Sequence, residues 1–285
     1  MKALISKARK DYHSGLLSKG ILTIDDKGVP SNADGSSKLS VGIARIIAEK
    51  LKASNQIKNV GQTVGARFEA LNMEFLNETF PHMQNLRPGE WYVSKLGNNG
   101  SKKVYDFSQY EHLDYLAQLT KADSRLAASM GNDYMVAPDI VVYRMPESDE
   151  SINRHQMIVD SDVCQLSDLR KSNGGLPILH ASVSAKWTMR SDRAQNSRTE
   201  ALGLIRNRKG HLPHIVVVTG EPLPSRIASL ALGTGDIDCV YHVALPELKE
   251  AVAAIGAEDA AEMLEILISG KRLKDIGDLP LDLAV

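Results

Sequence analysis

Apolar residues recur along this chain at two spacings, one typical of helices and one typical of strands. Helical spacing appears in the segments 4–17, 41–51, 68–80, 112–130, 224–232, 245–255 and 257–268. Runs of alternating or β-branched apolar residues appear in the segments 134–143, 178–188, 214–219 and 238–244. Because strands and helices alternate in the second half, we predict an α/β fold with a mixed central sheet flanked by helices. Without internal repeats, the 285 residues favour one domain that spans 1–285.

Polar residues lie at the ends of two predicted strands. Ser184 and Lys186 are two positions apart in the strand 178–188 and therefore share one face. Asp139 follows Pro138 and opens a β-branched run, where proline is tolerated and a carboxylate projects from the strand end. Such a carboxylate can hold a hard cation through its oxygens. Since the connection from Asp139 to Lys186 is long enough to join two strands of one sheet, acid, metal and lysine can converge on one phosphate.

A cluster of charged residues follows the lysine strand directly. Arg190, Asp192 and Arg193 lie where Ser191 can cap a new helix, and a helix N-terminus can enter the DNA major groove. Arginine is complementary to the N7 and O6 atoms of guanine, and aspartate accepts a hydrogen bond from the N4 amine of cytosine. The sequence therefore predicts recognition of G/C-rich DNA.

Charge and composition limit the alternatives. The 34 basic and 35 acidic residues give a net charge of −1, which does not indicate a nucleic-acid binder. Basic residues outnumber acidic ones locally between Lys186 and Gly210. This excess of positive charge either contacts DNA phosphates or forms a solvated helix face. Cys164 and Cys239 are far apart and fit a reducing compartment. We find no secretory signal and no apolar run of about 18 to 20 residues, so we expect a cytoplasmic protein.

A proline-aspartate pair followed at a distance by an acid, any residue and lysine is the signature of the PD-(D/E)xK nuclease superfamily. Here Ser184 replaces that acid, and Glu200, two helical turns after Arg193 on the same helix face, can supply it instead. Together with RSDR, this arrangement resembles the CCGG family of type II restriction endonucleases. The likeness extends from SNADGS through HASVSAKWTMRSDRAQ, RNRKG and LPHIVVVT to GKRLKDIGDLPLDLAV, and covers nearly the whole chain.

The resemblance implies Mg²⁺-dependent hydrolysis of DNA. The catalytic residues that it implies are Asp139, Lys186, Glu200, Glu69 and Ser184. Asp139, Glu200 and the backbone carbonyl of Ala185 would bind the metal, Lys186 would orient or activate water, and Glu69 would orient metal-bound water. On pattern alone, Glu69 would be a surface glutamate of an amphipathic helix.

The resemblance also implies the base contacts. They fall to Arg190, Asp192 and Arg193 for the inner base pairs, to Arg226 for the outer G:C pair, and to Asp34, Ser36 and Gln62. Without the resemblance, Asp34 and Ser36 form an ordinary turn, Gln62 lies in a loop, and Arg226 is a solvent-exposed arginine at a helix start. The implied site is GCCGGC, cut to leave 5′-phosphate ends with a CCGG overhang.

A palindromic site requires a two-fold dimer, because each subunit reads one half-site with the same surface. The resemblance adds a homotetramer of two dimers, with double-stranded DNA as substrate and a cognate DNA methyltransferase as functional partner. One alternative is a sequence-specific DNA-binding protein that does not cut. Another is a hydrolase in which Lys186 activates Ser184. The spacings His211-x-x-His214 and Cys239-x-x-His242 suggest zinc, but core strands explain them equally well.

Overall fold

The computed structural model describes residues 2–53, 61–96, 102–130, 137–189, 191–233 and 235–285; for 61–62, 127, 130 and 191–194 it describes the backbone alone. Within these residues one six-stranded sheet has the order β1 to β6. The strands are β1 Trp91–Lys95, β2 Ile140–Arg144, β3 Ile178–Lys186, β4 His214–Thr219, β5 Cys239–His242 and β6 Leu273–Asp275. β1, β2 and β3 are antiparallel, whereas β3 to β6 are parallel. The predicted α/β fold with a mixed central sheet is therefore confirmed.

Helices cover the sheet. They are α1 Leu4–Ser18, α2 Lys38–Lys50, α3 Gly61–Thr79, α4 His112–Ala122, α5 Ser124–Met130, α6 Asp149–Ile152, α7 Ser191–Asn207, α8 Pro224–Ala231, α9 Leu245–Ile255, α10 Glu258–Ser269 and α11 Leu279–Asp282. The central strand β4 has buried side chains at Val216, Val217 and Val218, which explains its unbroken apolar run. In the described part of the chain, no helix is long and apolar enough to cross a bilayer.

The register brings several strand ends to one edge of the sheet. Lys186 at the end of β3 pairs with Thr219 at the end of β4, and Thr219 pairs with His242 at the end of β5. β2 runs antiparallel to β3, with Ile140 opposite Val183, so the start of β2 reaches the same edge. Residues just before β2 and just after β4 can therefore lie beside Lys186.

The segment 112–130 differs from its prediction as one helix. The structure ends α4 at Ala122 and begins α5 at Ser124, because Asp123 between them is extended, with φ −128° and ψ 106°. Its Oδ1 accepts hydrogen bonds from the backbone N–H groups of Arg125, at 2.8 Å, and Leu126, at 3.2 Å. Asp123 thus caps a second helix, a preference of aspartate that outweighs the continuous apolar pattern.

For the predicted strand 134–143, the start at Asp139 that Pro138 indicates is correct to within one residue. β2 begins at Ile140, after Asp139, and 134–136 lie outside the described residues. The sequence analysis did not predict β1 or β6. Both are short, three to five residues, and too few positions alternate in them to produce a periodic signal. The bounds of β4 and α9 agree with the prediction at both ends.

Candidate active site

Three elements bring an acid–lysine cluster together at the sheet edge; we define it as Asp139, Ser184, Lys186 and Glu200. Lys186 Nζ donates a hydrogen bond of 2.9 Å to Asp139 Oδ2, and the backbone N–H of Ala185 donates one of 2.8 Å to the same oxygen. Ser184 Oγ donates to Glu200 Oε2 on α7 at 3.2 Å. The structure therefore brings together residues that the sequence analysis placed on separate elements.

The alternation of β3 explains which side chains enter this cluster. Ser184 and Lys186 share a face, as their spacing predicts, and Glu200 of α7 accepts the hydrogen bond of Ser184 on that face. The side chains of Lys186 and Asp139 are each 18% exposed. Their ion pair is thus largely shielded from water, so the interaction is stronger than that of a surface pair.

The lysine of the cluster is held in its charged form. Burial opposes its charge, but the carboxylates of Asp139 and Glu200 outweigh burial, and the pKa of Lys186 lies above its ordinary value. A protonated lysine donates hydrogen bonds and offsets negative charge, whereas it cannot accept a proton from water. The arrangement therefore favours a role in binding or orienting an anion.

The positive charge of Lys186 does not fully compensate the two acids of the cluster. Burial raises the pKa of Glu200 and the nearby Asp139 raises it further, while Lys186 and Ser184 offset these effects only in part. A divalent cation between the acids would relieve this repulsion. Two carboxylates and a backbone carbonyl at Ala185 form an all-oxygen donor set, which suits a hard cation that keeps several waters. Among the described residues no group of three or more His, Cys, Asp or Glu could hold a metal ion by itself.

Glu69 lies on α3 beside the acid–lysine cluster. Its charge contributes to the raised pKa of Lys186, and its Oε2 is 3.3 Å from Nζ of Lys95. Lys95 ends β1 and pairs in register with Ile140, the residue after Asp139. The sequence analysis missed Lys95, because β1 was not predicted and a lone lysine gives no signal.

Next to the acid–lysine cluster lies an arginine–acid cluster, which we define as Arg226, Asp34, Ser36 and Glu221. Arg226 Nη2 on α8 donates to Asp34 Oδ2, and Asp34 Oδ1 accepts from the hydroxyl of Ser36 at 2.7 Å and from its backbone N–H at 3.0 Å. These hydrogen bonds, those of Ser36 first and that of Arg226 next, lower the pKa of Asp34 to about 2. Segments far apart in the sequence thus form one charged surface.

Glu221 lies beneath that surface. It is fully buried, and its carboxylate accepts hydrogen bonds from the backbone N–H groups of Met189, at 2.8 Å, and Leu223, at 3.2 Å. Nη1 of Arg226 is 4.0 Å from its Oε2. The sequence analysis missed Glu221, although an acid directly after the apolar run of a parallel strand was an available signal.

The remaining predicted base-contacting residues are described only in part. Arg190 lies outside the described residues, and for Asp192 and Arg193 the structure describes the backbone at the start of α7. The helix begins at Ser191, where the sequence predicts a new helix. Gln62 lies in the first turn of α3, so its prediction as a loop residue is wrong. The reason is that the apolar face of α3 extends upstream of Phe68 to the buried Val64.

The six-stranded mixed sheet flanked by helices defines the class of the protein, the restriction-endonuclease fold. The family described as NgoMIV restriction enzyme matches residues 12–285. A curated relative, the type II restriction enzyme NgoMIV of Neisseria gonorrhoeae, is 49% identical over 286 residues, which cover 100% of each chain. The chain therefore belongs to the NgoMIV restriction enzyme family.

This membership confirms the resemblance drawn from the sequence. The protein is a site-specific deoxyribonuclease, and its substrate is double-stranded DNA. The two alternatives, a DNA-binding protein that does not cut and a hydrolase with a serine nucleophile, do not agree with this membership. Type II restriction enzymes generally need a divalent metal, which agrees with the oxygen donors around Asp139 and Glu200.

Proposed function

We propose that this enzyme cuts the palindrome GCCGGC in a Mg²⁺-dependent reaction and leaves 5′-phosphate ends with a CCGG overhang. The observation that carries the proposal is that the acid–lysine cluster and the arginine–acid cluster lie at the ends of neighbouring strands: Lys186 at the end of β3 pairs with Thr219, and Glu221 follows Thr219 by two residues. The first cluster can act on a phosphate, and the second has the charges to read a G:C pair. One DNA backbone that crosses the sheet edge would meet both.

Asp139, Glu200 and the backbone carbonyl of Ala185 are the groups that would hold Mg²⁺. When bound, the cation would polarise the phosphate and lower the pKa of an attacking water. Lys186, as an ammonium group, would donate to a non-bridging phosphate oxygen and offset its charge. The oxygen of water would add to phosphorus and the water would lose a proton to solvent. The bond between phosphorus and the 3′ oxygen would break, and the 3′ oxygen would take up a proton from solvent, so that one water is consumed for each bond cut. The products are a 5′-phosphate and a 3′-hydroxyl.

Ser184 and Glu69 would position other groups of the active site. The hydroxyl of Ser184 would fix Glu200 through the 3.2 Å hydrogen bond. Glu69, itself held by Lys95 at 3.3 Å, would orient the attacking water. Each of these roles depends on geometry more than on charge transfer, so we expect smaller effects from Ser184 than from Asp139.

The arginine–acid cluster would read the outer base pair. The guanidinium of Arg226 can donate hydrogen bonds to O6 and N7 of guanine, and the carboxylate of Asp34 can accept one from the N4 amine of cytosine. The hydrogen bonds that Asp34 makes with Ser36 and Arg226 already hold the two side chains next to each other. Such preorganisation reduces the entropy lost on binding. The inner CCGG would fall to Arg190, Asp192 and Arg193, and Gln62 would contact bases from the minor groove.

Cleavage mapping tests this function. A plasmid of known sequence is incubated with the enzyme, with Mg²⁺ and with EDTA, and the ends are sequenced. We expect cuts only with Mg²⁺, each within GCCGGC and before the first C. Cuts at other sequences, or equal cutting in EDTA, would overturn the proposal.

We further propose a homotetramer of two dimers, formed by one domain per chain. The continuous core from Ala8 to Leu283 supports the single domain. Exposed apolar side chains support the assembly: Met157, Ile158, Val163 and Leu166 are 75%, 60%, 46% and 95% exposed. Four exposed apolar side chains within ten residues are the composition that interaction surfaces have.

Because such an enzyme would also cut its host's sites, a cognate methyltransferase is its functional partner, and both would act on DNA in the cytoplasm.

A comparison of plasmids tests the tetramer. Two sites on one DNA reach the second dimer at high effective concentration, so a two-site plasmid should be cut faster than a one-site plasmid. Leu166→Arg should remove this advantage and yield the mass of a dimer. Leu86→Arg, at a side chain that is 55% exposed elsewhere, is the matched control and should change neither. A dimer-sized wild type with equal rates on both plasmids would reject the tetramer.

A further inference from the structure

The turn after β4 connects segments that are remote in sequence. Glu221 accepts hydrogen bonds from the backbone of Met189, which precedes the RSDR segment, and of Leu223, which precedes α8. The carbonyl of Gly220 accepts a 2.7 Å hydrogen bond from the side-chain amide of Asn32, two residues before Asp34. We call Thr219, Gly220 and Glu221 the β4 turn.

Each segment bound to the β4 turn leads to a proposed base-reading group. Met189 leads into α7, which begins with RSDR residues, and α8 carries Arg226. Asn32 fixes the segment that carries Asp34 and Ser36. The turn itself is rigid, since Thr219 and Glu221 are fully buried and the Thr219 hydroxyl accepts from the Glu221 backbone N–H at 3.1 Å.

A carboxylate at this buried position needs a specific reason. Burial raises the pKa of Glu221, and two backbone hydrogen bonds and Arg226 offset this only in part. An apolar side chain would avoid that cost, but it would leave the N–H groups of Met189 and Leu223 without their acceptor. A glutamine would satisfy one of them, since only one of its two terminal atoms accepts. A glutamate alone bonds both segments and also lies 4.0 Å from Arg226.

We propose that Glu221 is a positioning residue for sequence specificity, which couples the inner reading segment before α7 to the outer reader Arg226. The inference rests on the proposed function, because it needs base contacts in both segments. Glu221 touches no DNA in this account. It fixes the distance between the segment before α7 and Arg226, so that a duplex can make base contacts with both of them or with neither.

The test compares discrimination at two positions of the site. The hexamer is first mapped with wild-type enzyme, and kcat/KM is then measured on that duplex and on duplexes with the outer or the inner pair substituted symmetrically. Glu221→Gln keeps the volume and loses one acceptor, so discrimination should fall about tenfold at both positions. Arg226→Ala should reduce discrimination at the outer position alone.

Controls separate positioning from stability. Gln109 is also buried and also joins two segments, because its side chain donates to the Leu179 carbonyl at 2.7 Å and accepts from the Leu179 N–H at 2.9 Å, at the opposite end of β3. Gln109→Ala should lower the urea midpoint and leave both ratios unchanged. Thr219→Val removes the hydroxyl that holds Glu221, should give a milder fall at both positions, and carries the test if Glu221→Gln does not fold.

The outcomes are distinct. Wild-type enzyme that does not discriminate at the outer or inner pair defeats the proposed function itself. If wild type discriminates, unchanged ratios in Glu221→Gln overturn the inference, as does a fall at the outer pair alone. An equal loss of kcat/KM on every duplex, or the same relaxation in Gln109→Ala, makes Glu221 merely structural and also overturns it. A fall at both positions, absent from Gln109→Ala, supports the coupling.

Discussion

The acid–lysine cluster and the arginine–acid cluster lie at neighbouring strand ends, but they are built differently. Asp139 and Lys186 are 18% exposed; Lys186 is the last residue of β3, and Asp139 directly precedes β2. Arg226 and Asp34 are 30% and 26% exposed and lie on a helix and a loop. The fully buried Glu221 holds that second pair from below.

The difference corresponds to what each cluster would do. Catalysis requires groups fixed with small tolerance relative to one phosphate, which a sheet provides. Base recognition requires Arg226 and Asp34 to form hydrogen bonds with bases, partly in place of their bonds with each other. A partly exposed ion pair can make this exchange at small cost. The comparison predicts that substitutions in one cluster change the rate of cutting, and that substitutions in the other change the choice of sequence.

The largest effect should come from Asp139→Ala. Removal of this acid deletes a metal ligand and the partner of Lys186, so transition-state stabilisation of several kcal/mol is lost and cleavage falls roughly 10³-fold or more. Single-turnover cleavage in Mg²⁺ measures it. Asp168→Ala, at an exposed acid far from the sheet edge, is the control and should cut normally. Cutting at the wild-type rate by the Asp139 variant would remove Asp139 from the mechanism.

Arg226→Ala should give the next largest effect, on choice of sequence. Loss of a bidentate contact with guanine costs about 1 to 3 kcal/mol of discrimination at the outer pair. Competition between cognate and outer-substituted duplexes measures it. Lys50→Ala, which removes a cation paired with Glu250 on α9, controls for charge and should leave discrimination intact. Equal weakening on all sequences would make Arg226 a phosphate contact.

Ser184→Ala should have a smaller effect, on rate alone. The variant loses the hydrogen bond to Glu200, which helps to hold that carboxylate in its charged form, and cutting should slow about two- to tenfold. Ser182→Ala, on the same face of β3, is the matched control and should cut as wild type does. If Ser184→Ala altered sequence choice instead, the division between the clusters would fail.

Between pH 7 and pH 5, we assign the loss of stability to buried histidines of the core. Burial lowers the pKa of His180 to about 3 and that of His242 to about 4, both below the ordinary 6.5. The unfolded chain therefore takes up protons between pH 6.5 and these values while the folded chain does not, so stability falls as pH falls below 6.5. His180→Gln should flatten this dependence in urea unfolding at pH 7 and 5. His155→Gln, at an exposed histidine, should not change this dependence. If the free energy of unfolding of His180→Gln fell between pH 7 and pH 5 as much as that of wild type, the assignment would be refuted.

The sequence predicted the acid–lysine cluster better than the arginine–acid cluster, for a physical reason. Ser184 and Lys186 are related by strand period, and Asp139 opens an apolar run, so each carries a local signal. Lys95 carries none, because its partner Glu69 comes from a distant segment. Glu221 follows the apolar run of β4, but nothing near it in the sequence indicates its partner Met189. Asp34 and Arg226 were proposed only through family resemblance. Local preference also explains the errors: the Asp123 cap divides a continuous helical pattern, and α3 begins at Gly61, one residue before Gln62, because its apolar face extends upstream to Val64.

The central claim is that cutting and reading are separate, and binding specificity of Asp139→Ala tests it most directly. The ratio of the Kd for an outer-substituted duplex to the Kd for GCCGGC is measured by fluorescence anisotropy in Ca²⁺, for wild type, Asp139→Ala and Arg226→Ala. We expect the wild-type ratio for Asp139→Ala, despite its loss of cutting, and a ratio smaller by roughly 5- to 150-fold for Arg226→Ala, which corresponds to about 1 to 3 kcal/mol. A ratio that collapses in Asp139→Ala, or one that survives in Arg226→Ala, would contradict it.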